Sequence, residues 1–301
     1  MRVFAAGASG ALGSRLVPQL TGAGHEVIGT RNSPASAQLL RELGAEPVRL
    51  DLLDARAVRT AVPGSKPAAI VHQATALADI KFGRSLDKTF ATTSRLRTEG
   101  TDALLAASRE AGVRRFVAQS FAPYRYARQG GPVKTEADPV EQTPPPDTGQ
   151  TYAAITYLEK ATTGFGGIAL RYGGFYGAAS HALIEPVRKR QFPVAGDGGG
   201  IFSWLHLDDG AAATVAALEH SGPAICNIVD DEPAPVRDWL PVLASALGAQ
   251  PPRHVPAWLA RLFAGPAAVV MGTQARGASN AKAKRELGWT PRYPAGAPVS
   301  R

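Results

Sequence analysis

The sequence predicts an α/β fold in which a doubly wound parallel sheet is followed by a small C-terminal lobe. Up to about residue 120, short apolar runs alternate with helical runs, and buried strands joined by helices are typical of a parallel sheet covered on both faces. A glycine-rich turn directly follows the first apolar run, where such a sheet passes into its first helix. With 301 residues, 45% of them hydrophobic, the chain can bury a core of this size.

The predicted elements follow one another along the chain. Strands are predicted at residues 3–6, 26–30, 47–50, 68–73, 113–119 and 167–172. Helices are predicted at residues 11–20, 35–43, 55–62, 94–111, 152–162, 209–219, 236–247 and 281–287. Residues 130–150 are rich in proline, glycine and charge, and we expect a long surface loop without a regular element there. We expect residues 1–175 to form the core and residues 176–301 mainly the lobe, with some elements returning to the core.

The charge and cysteine content of the chain exclude several kinds of ligand and binding partner. The net charge is +8, but the basic residues are scattered and not interleaved with aromatic ones, so we expect no nucleic-acid partner. Cys226 is the single cysteine, which excludes an intramolecular disulfide and a cysteine-based zinc site, and no His/Asp/Glu spacing suggests another metal.

No segment suggests a secretory signal or a membrane span. Residues 257–271 are apolar but interrupted, which favours a helix covering a pocket or a dimer surface. A cytoplasmic protein is expected, with a homodimer as an open alternative to a monomer.

The glycine-rich turn has the spacing G-x-x-G-x-x-G between a strand and a helix. Gly7 permits the tight turn, Gly10 lets a pyrophosphate approach the backbone, and Gly13 lets the helix pack closely on the sheet. The free N–H groups at the start of the helix then face the phosphates. This placement predicts a Rossmann-type core that binds a dinucleotide through Gly7, Ser9, Gly10, Ala11, Leu12 and Gly13.

The end of the second predicted strand indicates which dinucleotide is bound. An NAD site usually has an acidic residue there, which accepts a hydrogen bond from the adenosine 2′-hydroxyl. Here the segment contains Arg31, Asn32 and Ser33 and no acid. A guanidinium can pair with a 2′-phosphate, and the neighbouring side chains can donate hydrogen bonds to it. We therefore expect NADP(H) rather than NAD(H), although a solvent-facing arginine would give the same pattern.

Further motifs resemble the NAD-dependent epimerase/dehydratase family of extended or atypical short-chain dehydrogenases/reductases, over nearly the whole chain. They include R-Y-G-G-F-Y-G at 171–177, W-L-H-L-D-D at 204–209 and L-G-W at 287–289. Ser120 and Tyr124 lie in the register of the family's S-S-x-x-x-Y segment. The resemblance implies an oxidoreductase that acts on a small organic carbonyl or sugar-like substrate, and the segment after the second predicted strand makes NADP(H) its expected cofactor. It also implies cofactor contacts from Asp51, Leu52, Gln73, Ala74, Thr75, Ser120, Lys160 and Tyr172.

The catalytic pattern departs from that family. A tyrosine four residues before a lysine normally passes the proton, and the lysine holds the ribose and lowers the phenol pKa. Lys160 is taken as this lysine, and Thr156 stands in the tyrosine position. A threonine hydroxyl is too weak an acid to replace a phenol. Ser120, Tyr124 and Lys160 therefore remain the candidate catalytic residues, and Arg97 replaces the family's asparagine.

The remaining side chains of the predicted cleft do not decide which reaction the protein catalyses. Tyr176 and His206 are expected to contact a small-molecule substrate, although His206 equally suits a structural role. Three functions fit the pattern. The chain is a reductase whose proton comes from another tyrosine, from His206 or from water; or a non-redox isomerase, cyclase or dehydratase; or a cofactor-sensing binding protein.

Overall fold

A computed structural model describes residues 1–31, 33–77, 85–123, 125–177 and 181–293 of the chain. Two predicted site residues, Asn32 and Tyr124, lie outside the described residues. The central sheet consists of β1 (Arg2–Ala6), β2 (Glu26–Arg31), β3 (Ala45–Arg49), β4 (Ala69–His72), β5 (Arg115–Phe121), β7 (Ile168–Tyr172) and β12 (Ala224–Ile228). Its order is β12, β7, β5, β4, β1, β2, β3, and every neighbouring pair is parallel. The predicted doubly wound parallel sheet is confirmed.

Short strands outside this sheet connect the lobe and the loops. They are β6 (Val133–Lys134), β8 (Gly174–Tyr176), β9 (Val194–Ala195), β10 (Ile201–Phe202), β11 (Trp204–His206), β13 (Ala234–Pro235), β14 (His254–Val255) and β15 (Gly277–Ala278). The prediction that residues 130–150 hold no regular element was wrong, because β6 pairs there with β15. A two-residue strand fixed by a partner about 140 residues away in the chain leaves no periodic signal in its own sequence.

Each predicted helix has a counterpart close to its predicted position, whereas the helices at Leu86–Thr89 and His181–Arg188 were not predicted. They are α1 (Gly13–Gly22), α2 (Pro34–Glu42), α3 (Ala55–Ser65), α4 (Leu86–Thr89), α5 (Ala91–Arg95), α6 (Thr101–Glu110), α7 (Gly149–Gly164), α8 (His181–Arg188), α9 (Leu207–Glu219), α10 (Val236–Ala246), α11 (Ala257–Gln274) and α12 (Ala281–Leu287). The helix predicted at 94–111 is interrupted by a π-helical stretch, Leu96–Gly100, which places the buried Arg97 inward. Inserted π-turns of this kind are often found near functional sites.

Apolar side chains cover both faces of the sheet. On one face, Leu16 and Leu20 of α1 pack with residues of α9 and with Trp289. On the other, Phe4 and Ile70 of the sheet pack with Leu104 of α6. Two buried faces explain why the strands read as continuous apolar runs. Because α9, β12 and α12 come from the second half of the chain, that half contributes directly to the core.

The lobe has a smaller apolar core of its own, made by α8, β9 and α10. The boundary between residues 175 and 176 stays a prediction. Helix α11 is kinked at Gly265, whose backbone is non-helical, and Pro266 follows it. The second half of α11 closes over a crevice that Val270 shares with Tyr126 and Tyr152. Within the described ranges, no helix is long and apolar enough to cross a membrane.

Candidate active site

The site lies where the sheet changes direction of winding. From β1 the chain winds outward through β2 to β3, and from β4 it winds the other way through β5 and β7. The connections leaving the carboxyl ends of β1 and β4 therefore diverge and open a crevice between them. Ligands of doubly wound sheets bind at such a switch point. The predicted cofactor residues that the structure describes at the ends of β1, β2 and β4 lie at this edge.

The glycine turn after β1 is tightly built against its neighbours. A Cβ atom on Gly7, whose φ is +85°, would lie 2.7 Å from the backbone of Ala74. A Cβ atom on Gly13 would collide with the carbonyl oxygen of Gly7 and lie 2.5 Å from that of Ala8. Gly10 is exposed, and its amide donates to the Gly7 carbonyl at 3.1 Å. The turn therefore leaves a cradle that suits a phosphate, backed by the N-terminus of α1.

The end of β2 presents cationic rather than acidic groups. Arg31 is half-buried, and its Nε has no hydrogen-bond partner among the described residues. Arg31 is in register with Arg49 on β3, and residues paired across parallel strands share a face of the sheet. Ser33 caps α2, accepting from the Ser36 amide. Arg31 Nη1 donates to the Ser33 carbonyl at 3.4 Å, so this guanidinium lies beside the N-terminus of α2, a placement suited to an anion.

The residues after β3 and β4 line the other side of the crevice. Asp51 is exposed and accepts from the Leu53 amide at 2.9 Å, while Leu52 is buried beneath it. Gln73 is buried, its Nε2 donates to the Tyr172 hydroxyl at 3.2 Å, and its Oε1 has no partner among the described residues. Thr75 is partly exposed. An orphaned acceptor at this position fits a donor on a bound cofactor.

Tyr172 itself is fully buried. Its hydroxyl also lies 2.6 Å from the Thr214 hydroxyl, and burial raises the pKa of the phenol well above its usual range. The side chain therefore supports Gln73 from behind. A direct contact between Tyr172 and the cofactor stays a prediction.

Ser120, at the end of β5, is held by a buried carboxylate. Its Oγ donates to Glu159 Oε1 at 2.6 Å. Arg171 makes a two-pronged ion pair with the same carboxylate, at 2.7 and 2.8 Å, and Arg125 adds a contact of 3.1 Å. Burial opposes the charge on Glu159, but Arg171 and then Arg125 outweigh it and hold the pKa of the carboxyl below its usual range.

Sequence reasoning missed this network. Arg171 also donates to the Tyr126 hydroxyl at 3.0 Å, and that hydroxyl donates to Asn227 Oδ1 at 2.6 Å. The available signal was Glu159 itself, since it lies one helical turn from Ile155 on the buried side of α7. A charged residue in an apolar stripe indicates a buried partner, but the sequence does not say which one.

Tyr176 and His206 are brought together in the lobe. Their rings lie 5.2 Å apart on the paired strands β8 and β11, and His206 lies 4.2 Å from the ring of Tyr293. The Tyr176 hydroxyl donates to the Tyr293 carbonyl, and burial raises the pKa of this phenol. His206 Nδ1 accepts from the Asp208 amide and caps α9. His206 therefore ties the C-terminal segment to the site, and a substrate contact remains a prediction.

A family model described as the NAD dependent epimerase/dehydratase family matches residues 3–228, from β1 through β12. The chain belongs to this family. Its fold and glycine turn agree with the resemblance seen in the sequence, and the family and its relatives are oxidoreductases and epimerases. The chain is accordingly an enzyme of the extended short-chain dehydrogenase/reductase type.

Three known proteins illustrate the relationship. A Streptomyces protein named 3-diazoavenalumate denitrifying reductase is 40% identical over 98% of this chain and 97% of its own length. A 4-hydroxy-2-methyl-3-oxo-4-farnesyl-3,4-dihydroquinoline-1-oxide ketoreductase from Stigmatella aurantiaca is 27% identical over 82% of this chain and 74% of its own. UDP-glucose 4-epimerase of Thermus thermophilus, solved with NAD, has a TM-score of 0.72 and 24% identity and covers 99% of this chain and 98% of its own.

Helix α7 has Thr156 where the family has its proton-transferring tyrosine. The Thr156 hydroxyl donates to the Tyr152 carbonyl at 2.9 Å, so its hydrogen is used within the helix. Lys160 is exposed, and the adjacent Glu159 takes the position facing Ser120. The role of Lys160 as the ribose-binding lysine stays a prediction. Among the described residues, no group of three or more His, Cys, Asp or Glu side chains could hold a metal ion.

Proposed function

We propose that the protein is an NADP(H)-dependent reductase that delivers hydride to an electrophile requiring no proton from a tyrosine. One observation carries this proposal. The hydroxyls at the two family positions that should handle the proton, Ser120 and Thr156, both donate to acceptors inside the protein. A hydroxyl whose hydrogen is already donated to a buried carboxylate is a poor acid for a substrate.

The residues of the crevice fit a nicotinamide dinucleotide. The amides of Ser9 to Leu12 and the start of α1 would hold the pyrophosphate, and Asp51 the adenine side. The orphaned Gln73 Oε1 would accept a hydrogen bond from the ribose or the nicotinamide amide. The bound cofactor supplies the hydride, and the protein orients it and excludes water.

The phosphorylated form of the cofactor is favoured by Arg31 and Arg49. Two like charges in register on neighbouring strands repel each other. A 2′-phosphate would neutralise this repulsion. An acidic residue that could accept from a 2′-hydroxyl does not occur in the segment from Gly29 to Ser33.

Arg31→Ala should weaken NADPH binding by about 10- to 100-fold, the loss expected for a charge-assisted hydrogen bond. NADH binding should change little, because NADH lacks the phosphate. Isothermal titration of both cofactors would measure this. Arg41→Ala, which removes an exposed guanidinium near the other end of α2, is the matched control. Equal weakening of NADPH and NADH in Arg31→Ala would contradict the assignment.

A diazo compound is the substrate class that suits this site. The Streptomyces relative is named as a reductase that removes nitrogen from a diazo substrate. When an organic diazonium cation takes up a hydride, a C–H bond forms, the C–N bond breaks and dinitrogen leaves. This balance consumes no proton, so a site without the family's tyrosine can perform it.

Carbonyl reduction is the second candidate, because the Stigmatella relative is named a ketoreductase. Reducing a small carbonyl or sugar-like substrate consumes a proton, which must come from His206, from water or from a phenol such as Tyr124, outside the described residues. The remaining alternatives are a non-redox isomerase, cyclase or dehydratase and a cofactor-sensing binding protein. We further propose a cytoplasmic enzyme with a small-molecule substrate and without a nucleic-acid or membrane partner, and a homodimer stays an open alternative.

Matched substrates separate these functions. With NADPH, we expect the protein to convert 4-diazoniobenzoate to benzoate and dinitrogen faster than a protein-free control. With NADPH deuterated at the transferable position, the deuterium should appear on the ring carbon that held nitrogen, as read by mass spectrometry. Under the same conditions, 4-formylbenzoate should be reduced slowly or not at all. Reduction of the aldehyde alone would favour the carbonyl reductase, and no NADPH oxidation with either compound would overturn the proposal.

A further inference from the structure

An aromatic cluster lies on the lobe side of the candidate site and has no part in the chemistry described so far. It consists of Phe192, Phe202, Trp204 and Trp239. The rings of Phe202 and Trp204 are stacked with centroids 5.7 Å apart, and Trp239 meets Trp204 edge-on at 4.8 Å. Phe192, Phe202 and Trp239 are partly buried, and they also pack against the apolar core of the lobe.

The position of the cluster follows from strand pairing. β8 continues just beyond the carboxyl end of β7, and β11 pairs with it so that Trp204 is opposite Gly174 and Leu205 opposite Phe175. Leu205 and Phe175 pack into the core beneath the glycine turn. Since side chains alternate along a strand, Trp204 lies on the other face, away from that core. The cluster therefore lies beyond the carboxyl end of β7, at the same edge of the sheet as the glycine turn but on the β7 side of it.

Gly174 makes room for the indole of Trp204. A Cβ atom at position 174 would lie 3.0 Å from two ring carbons of Trp204, closer than carbon atoms normally approach. One edge of the indole thus lies close to Gly174 of β8, just after β7 ends. A larger residue at position 174 would therefore require the indole to shift.

Trp239 provides an unused hydrogen-bond donor. Its Nε1 is buried and has no partner among the described residues. Buried indole N–H groups usually donate to an acceptor, so an orphaned one indicates a group that a ligand would supply. Ring faces with one inward donor suit a flat aromatic ring that carries an oxygen acceptor, and tryptophan faces also attract a positively charged ring substituent.

We infer that the aromatic cluster is the subsite that binds the ring of an aryl substrate bearing a phenol or carboxylate oxygen, with Trp239 Nε1 donating to that oxygen. This inference rests on the proposed reductase function of the same cleft. It predicts selectivity for aromatic over saturated ligands of equal size and charge. It assigns specificity to Trp204 and Trp239, with Gly174 as the residue that positions Trp204.

The test compares 4-hydroxybenzoate with trans-4-hydroxycyclohexanecarboxylate, which carries the same two oxygen groups on a saturated ring. Isothermal titration of the protein saturated with NADP⁺ should show the aromatic acid binding about tenfold more tightly, as expected for ring stacking. Trp239→Phe keeps a ring but removes the donor and should weaken 4-hydroxybenzoate by about 5- to 10-fold. Gly174→Ala should reduce the preference for the aromatic acid. Trp258→Ala, which removes a 69% exposed tryptophan of α11, is the control and should change neither affinity.

The outcomes separate this inference from the proposed function. If NADP⁺ and NADPH bind but the two acids bind equally, or 4-hydroxybenzoate does not bind, the aromatic subsite is wrong while the cofactor site stands. If Trp239→Phe leaves the affinity for 4-hydroxybenzoate unchanged and Gly174→Ala leaves the preference for the aromatic acid unchanged, the ring binds elsewhere and the inference is again overturned. If neither cofactor form binds, the proposed function fails.

Discussion

Glu159→Gln is expected to lower the free energy of unfolding by about 3–5 kcal/mol, the cost of breaking a buried ion pair from one side. The carboxylate of Glu159 is surrounded by two guanidinium groups whose side chains are 2% and 5% exposed. Replacing it with a neutral amide leaves two buried positive charges with no counter-charge from Glu159. Urea denaturation at pH 7 would measure the change, because the lowered pKa of Glu159 makes its contribution fully present there and lost only as the pH falls through the folded value.

Ser120→Ala is the matched control for this prediction. It removes one hydrogen bond to the same carboxylate but leaves both ion pairs in place, so it should cost only about 1 kcal/mol. Lys160→Gln, one residue along α7, removes an exposed charge and should change stability by less than about 0.5 kcal/mol. A loss for Glu159→Gln no larger than that for Ser120→Ala would show that the network is not a major source of stability.

Features of this fold that depend on neighbouring residues could be predicted from the sequence, whereas features that depend on distant residues could not. The glycine turn, the alternation of strands and helices and the absence of an acid after β2 are local patterns, and they predicted the sheet and the cofactor edge. β12, the seventh strand of the sheet, was missed because its segment is a five-residue run between two loops. It joins the sheet by pairing with β7, some 50 residues earlier in the chain.

The contacts around Ser120 also could not be predicted from the sequence, because they depend on how α7 packs. The family resemblance gave Ser120 and Lys160 as candidate catalytic residues, and Lys160 was identified by its spacing from Thr156. The helix begins at Gly149 and its buried side passes through Ile155 and Glu159, which turns Lys160 outward. A difference of one residue is about 100° around a helix, and only the packing of α7 on β5 fixes that angle. Residue identity could be predicted here, but rotation about the helix axis could not.

Gly13→Ala is expected to weaken NADPH binding by at least about 100-fold, the equivalent of losing two charge-assisted hydrogen bonds. The added methyl group would meet the carbonyl oxygens of Gly7 and Ala8, and both belong to the backbone of the phosphate-binding turn. Because neither can move without opening the turn, the amides that face the pyrophosphate would lose their alignment. Overpacking at this position should also cost about 1–3 kcal/mol of stability. Titration with NADPH would measure the affinity, and circular dichroism would report whether the variant is folded.

Gly22→Ala provides the control at the opposite end of the same helix. A Cβ atom at Gly22 meets nothing within 4 Å, so alanine there should leave NADPH affinity unchanged and stabilise α1 by about 0.5–1 kcal/mol. The two substitutions add the same methyl group to α1, and only the one inside the turn obstructs the phosphate cradle. If a folded Gly13→Ala protein bound NADPH as well as Gly22→Ala does, the pyrophosphate would not lie on this turn. The cofactor site would then have to be sought away from the end of β1.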